Sequence, residues 1–108
     1  MRVGKTFWDW GIPTPDSILH VGQATKWMLP IIATGGMRNG LDAAKALSMG
    51  ASAAGFAHTV LLPATKSKDA LLFELEVILR ELRTAMFLVG IDKAQNMRQA
   101  AVSYEPQI

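Results

Sequence analysis

Residues 31–40 read "IIATGGMRNG": an apolar run stops on two glycines, and an arginine, an asparagine and a third glycine follow. Pro30 opens the run, and Ile31-Ile32-Ala33 reads as a strand over 31–34 buried on both faces, the pattern of parallel sheets. After Gly40 comes "LDAAKALSMGA", in which Leu41, Ala44 and Leu47 share one helical face and Gly50 stands where a left-handed C-terminal cap belongs. Small and apolar residues return in "ASAAGFA", 51–57, and predict a second strand over 52–57. Strand 31–34, helix 41–49 and strand 52–57 make a βαβ unit, whose crossover forces the two strands to be parallel. The fold class is α/β.

Two residues without side chains at the end of a buried strand invite close approach to the backbone. The first peptide N–H groups of a helix are unpaired and carry partial positive charge, so a glycine-rich strand-to-helix turn is a natural phosphate cradle. Gly35, Gly36 and Gly40 fit that role, because glycine takes positive φ and presents no Cβ to the anion. Arg38 adds a guanidinium able to bond the same anion. The pattern is Gly-Gly-x-x-x-Gly rather than Gly-x-Gly-x-x-Gly, and no acidic residue ends the next strand, which disfavours a dinucleotide site. The competing reading is a tight βα turn with no ligand. The second strand ends in Gly55-Phe56-Ala57-His58, again small, so two neighbouring parallel strands offer backbone amides on one rim. In a (β/α)₈ barrel the loops after strands seven and eight commonly form such a phosphate site.

Outside this unit, Thr14-Pro15-Asp16-Ser17 reads as a helix start, with a capping hydroxyl, proline in the first turn and an acid at the positive end of the dipole. A helix to about Met28 is expected, weakened by Gly22 and Thr25. From Ser67 to Val89, Leu71, Leu72, Leu75, Ile78, Leu79, Leu82, Met86 and Val89 recur at steps of three and four, with Glu76 and Arg80 paired on the polar side and Gly90 as the stop. Asp92-Lys93-Ala94-Gln95 resembles a capping box that opens a last short helix to about Ala101. Gly4-Lys5-Thr6 matches the tail of a P-loop, but the glycine and strand that should precede it are missing.

Composition narrows the function classes. Of 108 residues, 50% are hydrophobic and 19% charged, enough to form a core, and the net charge is +2 with the cations scattered rather than striped. No nucleic-acid partner is expected. The absence of cysteine removes disulfides, thiolate metal sites and thiol nucleophiles. No run reaches the apolar length of a membrane span, so no membrane partner is expected and a cytoplasmic protein is. Trp8, Trp10 and Trp27 are expected to pack under a barrel rim. His20, on a helix, and His58, on a loop, lack metal-ligand spacing, so no metal site is assigned. Asp9 and Asp42 are single carboxylates, and Asp42 is placed to favour the start of its helix.

The runs "WDWGIPTPDSI", "IIATGGMRNGLDAAKALSMGASAAGFA" and "ELRTAMFLVG" together resemble the C-terminal part of the type 2, FMN-dependent isopentenyl-diphosphate delta-isomerases, from about Phe7 to about Met97. The glycine motif is shared with other FMN barrels, such as 2-hydroxy-acid oxidases. "WGIPT" and "ELRTAMFLVG" narrow the resemblance to the isomerases. It implies that residues 1–108 are a single segment of a (β/α)₈ barrel, its last two to three βα units, incomplete as a barrel alone. It implies FMN as cofactor, with NADPH for flavin reduction and Mg²⁺ in the complete enzyme, and an isoprenoid diphosphate whose double bond moves without net redox change. Gly35, Gly36, Met37 and Arg38, with Ala57 and His58, match the positions that hold the FMN phosphate. No catalytic residue maps onto the chain, which is expected to be inactive alone and to pair with a second copy or with the missing barrel part. The alternatives are a piece of another FMN barrel oxidoreductase, or a non-catalytic phosphate-binding or oligomerising module. Two departures stand out: Thr34 replaces a more usual serine, and "AHTVL" replaces a more typical Ala-x-Pro-Phe-Leu.

Overall fold

A computed structural model describes residues 1–100 and 102–106. Helix α1 spans Arg2–Thr6, α2 Thr14–Ala24, strand β1 Ile32–Ala33, α3 Gly40–Ser48, β2 Ala53–Ala54, α4 His58–Lys66 and α5 Lys68–Val89, followed by a 3₁₀ helix at Ala94–Gln99. β1 and β2 pair in parallel, Ile32 with Ala53 and Ala33 with Ala54, and α3 is the crossover. The ladder is extended by Ser52 N–H to Ile31 O at 2.8 Å and Gly55 N–H to Ala33 O at 2.7 Å. The expected βαβ unit is present. Its strands are shorter than predicted.

The alanines of α3 explain its central place. Ala43, Ala44 and Ala46 are buried, and their small side chains let the helix approach the sheet on one side and α5 on the other. Under the sheet, Ile18, Ala33, Met37, Ala46 and Ala51 form one apolar cluster. Between α3, α5 and the 3₁₀ helix, Ala44, Met97 and Ala100 form a second, flanked by Leu47, Leu82 and Met86. Burying such groups contributes about 25 cal/mol per Å² of apolar area removed from water.

Several expectations need correction. Ile32 is 70% exposed whereas its neighbour Ala33 is 3% exposed, so β1 is buried on one face only, because nothing in a two-stranded sheet covers the other. Helix α2 begins at Thr14 with Pro13 as its cap, and the Thr14 hydroxyl bonds elsewhere. It ends at Ala24 because Lys26 and Trp27 take positive φ, which breaks the helix and turns the Trp27 ring back over Gly22. A Cβ on Gly22 would lie 2.2 Å from that ring, so the glycine that weakens the helix makes room for the tryptophan. Arg98 stacks on the indole with its guanidinium carbon 3.9 Å from the ring centroid. Trp27 therefore packs as expected, but Trp8 and Trp10 are 87% and 81% exposed, on a segment that follows the short α1 and touches no core cluster.

Helix α5 matches the predicted run closely. The Ser67 hydroxyl accepts from Ala70 N–H at 3.0 Å, Gly90 caps the far end at φ +76°, and Arg80 meets Glu76 at 3.2 Å. Only Ile78 of its apolar stripe is fully buried, and Leu72, Leu75 and Leu79 are exposed. The last helix is 3₁₀, with Lys93 as its cap and no side-chain capping bond, so the Asp92 capping box does not form. The predicted end of this helix at Ala101 lies outside the described residues.

Candidate functional site

The glycine turn lies at the C-terminal end of β1. Gly35 and Gly36 have φ of +100° and +71°, a backbone that residues with side chains rarely adopt. The Thr14 hydroxyl donates to the carbonyls of Gly35 at 2.7 Å and Thr34 at 3.3 Å. Carbonyl and N–H point in opposite directions across a trans peptide, so fixing these two carbonyls on Thr14 turns the Gly35 and Gly36 N–H groups away from α2. A Cβ on Gly36 would meet nothing within 4 Å. The turn borders an open groove of about 310 Å³ shared with Thr14, Arg38 and Lys45.

Met37 and Arg38 divide their roles between side chain and backbone. The Met37 side chain is buried in the cluster under the sheet, so only its main chain faces the turn. The Arg38 amide donates to Asp42 Oδ2 at 3.1 Å, and its guanidinium meets the same carboxylate at 3.0 Å. This hydrogen bond holds the Asp42 carboxyl below the usual carboxylate value and the Arg38 guanidinium above its own. The Arg38 guanidinium thus stays exposed while it is shared with Asp42.

Gly40 has a different purpose from the one its spacing suggests. A Cβ there would lie 2.2 Å from Ile78 O and 2.5 Å from Leu82 N, so this glycine exists for the close crossing of α3 and α5. Its N–H donates to Glu81 Oε1 at 3.1 Å, and the Asn39 side chain accepts from Asp42 N–H at 2.8 Å. Two of the amides at the start of α3 are thus taken by side chains of the protein itself.

The second rim segment corrects another expectation. His58 is the first residue of α4 and not part of a loop; Ala57 is the cap, no side chain satisfies the helix start, and its first turn carries no acid. Proline at position 63 masked this helix in the sequence, since an interior proline normally ends one. Ala57 and His58 do not border the groove beside Thr14. They are brought to the glycine turn from the other side, by strand pairing and by Thr59, whose hydroxyl reaches the carbonyls of Met37 and Arg38, each at 3.2 Å. Sequence reasoning missed Thr59; the replacement of proline in "AHTVL" was the available signal. Among the described residues, no group of His, Cys, Asp or Glu is arranged to hold a metal ion, and no helix is long and apolar enough to cross a membrane.

A family model described as FMN-dependent dehydrogenase matches residues 7–104. The chain belongs to this family. Among curated relatives, it is 48% identical over 99 residues to an isopentenyl-diphosphate delta-isomerase of Thermoplasma volcanium, covering 92% of this chain and 27% of that protein. It is 45% identical to the enzyme of that name from Methanosarcina barkeri, covering 94% and 27%, and 42% identical to that of Pyrococcus furiosus, covering 95% and 26%. The chain therefore spans about a quarter of the length of the relatives it matches. The resemblance drawn from the sequence is supported, and the structure, mostly helical around a small parallel sheet, is consistent with a partial α/β unit.

Proposed function

We propose that residues 1–108 form one segment, the C-terminal FMN-phosphate-binding part of an FMN-dependent isopentenyl-diphosphate delta-isomerase, and that it is inactive alone. The observation that carries this reading is the meeting, at the C-terminal ends of two parallel strands, of a positive-φ glycine turn and the uncapped start of α4. In (β/α)₈ barrels a phosphate commonly sits between the loops after strands seven and eight and the N-terminus of a short extra helix. Helix α4, intercalated between β2 and α5, corresponds to that extra helix, and β1 and β2 to the last two strands.

The residues fit the phosphate end of FMN. Gly35, Gly36 and Met37 supply main-chain N–H groups, with open space at Gly36. Ala57 and His58 supply the amide edge of α4, strengthened by the helix dipole. Arg38 supplies charge-assisted hydrogen bonds from the guanidinium that Asp42 orients. When bound, the reduced flavin supplies the proton-transfer chemistry that shifts the double bond of the isoprenoid diphosphate. The contribution of this chain is to bind and orient the phosphate. NADPH, Mg²⁺ and the substrate belong to the longer enzyme, which we place in the cytoplasm and in isoprenoid synthesis.

The exposed face of β1 at Ile32 and the uncovered side of α5 at Leu72, Leu75 and Leu79 support an incomplete barrel. The remaining barrel, or a second copy, would cover them. The decisive experiment is an FMN titration followed by flavin fluorescence, beside riboflavin and with light scattering for mass. FMN binding without riboflavin binding is the expected result. Equal binding of both, or of neither by folded protein, would overturn the phosphate cradle.

A further inference from the structure

Helix α4 reaches the glycine turn through one side chain. The Thr59 hydroxyl lies 3.2 Å from both Met37 O and Arg38 O, and its single proton is shared between the two carbonyls. Among the described residues, no other side-chain hydrogen bond joins α4 to the β1–α3 turn. The Thr14 hydroxyl holds the preceding carbonyls of Thr34 and Gly35 from the opposite side. Of the five consecutive carbonyls from Thr34 to Arg38, all but that of Gly36 are thereby tethered by two threonines on different helices.

We infer that Thr59 is a positioning residue that locks the glycine turn to the first turn of α4, so that two separate groups of amides face a single anion. The inference rests on the proposed phosphate site for its functional meaning, but the tie is a property of the chain itself. A hydroxyl is required because the partners are acceptors only. A proline here, which the resembled family more typically carries, would preset the start of α4 yet offer no donor. Serine keeps the donor; valine keeps the shape and loses it.

The test is amide hydrogen exchange of the 108-residue chain, read by NMR at Gly35–Asn39 and His58–Leu61, for the wild type, Thr59→Val and Thr59→Ser, alongside FMN and riboflavin titrations. Loss of one such bond should speed exchange in both segments by roughly three- to tenfold in Thr59→Val, with Thr59→Ser close to the wild type. FMN affinity should fall by a similar factor, and riboflavin should be unaffected. Unchanged exchange in Thr59→Val overturns the tie, as does faster exchange that serine fails to restore. Faster exchange with unchanged FMN affinity overturns its role in placing the anion. If the wild type binds no FMN, the proposed function falls, and the exchange rates still decide the tie.

Discussion

The two helices that follow the strands begin in opposite ways. At α3 side chains of the protein take the amides: Asn39 caps the Asp42 amide, Glu81 takes the Gly40 amide, and Asp42 takes the Arg38 amide. At α4 no side chain caps the start and no acid lies in the first turn. Side chains of the protein take amides at one helix start, and none does so at the other. A glycine-rich turn therefore does not by itself make the next helix an anion site; Gly35 and Gly36 shape the backbone, while Gly40 makes room for α5.

The contrast can be broken by substitution. The largest effect is expected at Gly40. Gly40→Val places a side chain against the backbone of Ile78 and Leu82 and should cost about 3 kcal/mol in chemical denaturation. A stable Gly40→Val protein that lost FMN would mean that α3 is the binding helix after all. Gly36→Val follows: its cost, about 1–2 kcal/mol, comes from φ +71° rather than from crowding. It should weaken FMN binding because its bulk enters the space we assign to the phosphate, and undiminished affinity would remove Gly36 from the cradle.

Ala57→Asp sharpens the comparison because its two effects have opposite sign. Supplying α4 with the cap it lacks should raise stability by about 0.5–1 kcal/mol. The same carboxylate should weaken FMN on the order of tenfold by competing for the amides and repelling the phosphate. Thermal melts and FMN titrations of this one variant suffice, and a parallel rise in both quantities would contradict the assignment.

The smallest effect concerns pH at the closed end. Asp42 is held below its usual value by the Arg38 hydrogen bond, so its folded pKa is depressed relative to the unfolded chain. The stability it contributes is present above the unfolded value, about 4, and is lost as pH falls through the lower folded value. Thermal melting of the wild type should therefore decline slightly more steeply below about pH 4 than that of Asp42→Asn. Identical acid profiles would show that the pair carries no stability.

Periodicity and caps made α3 and α5 legible in the sequence. Ser67 and Gly90 stand at the ends of α5 where their side-chain chemistry places them. What was not legible depended on partners distant in the chain. Thr14 has the signature of a cap, but the carbonyls of Gly35 and Thr34 compete for its hydroxyl. Gly40 looks like part of a glycine motif until Ile78 arrives beside it. Helix α4 was hidden by Pro63, whose local veto is overridden when packing against α5 holds the turn. For the candidate site, the positive φ of Gly35 and Gly36 was legible from residue type, whereas the pairing of Arg38 with Asp42 was not. That Ala57 and His58 open a helix was not legible, because the sequence reads His58 as part of a loop.

The bond between Tyr104 and Asp16 bears on the order in which the molecule assembles. The phenol donates to Asp16 Oδ1 at 2.9 Å across 88 positions, onto a fully buried carboxylate in the first turn of α2. Burial and the neighbouring carboxylate raise the phenol above its usual pKa, so it keeps its proton and remains a donor. The βαβ unit and the α4–α5 pair can form from neighbouring stretches as they leave the ribosome, whereas this latch waits until residue 104 has emerged. Helix α2 therefore gains its bond to Tyr104 only after every element between the two has been synthesised.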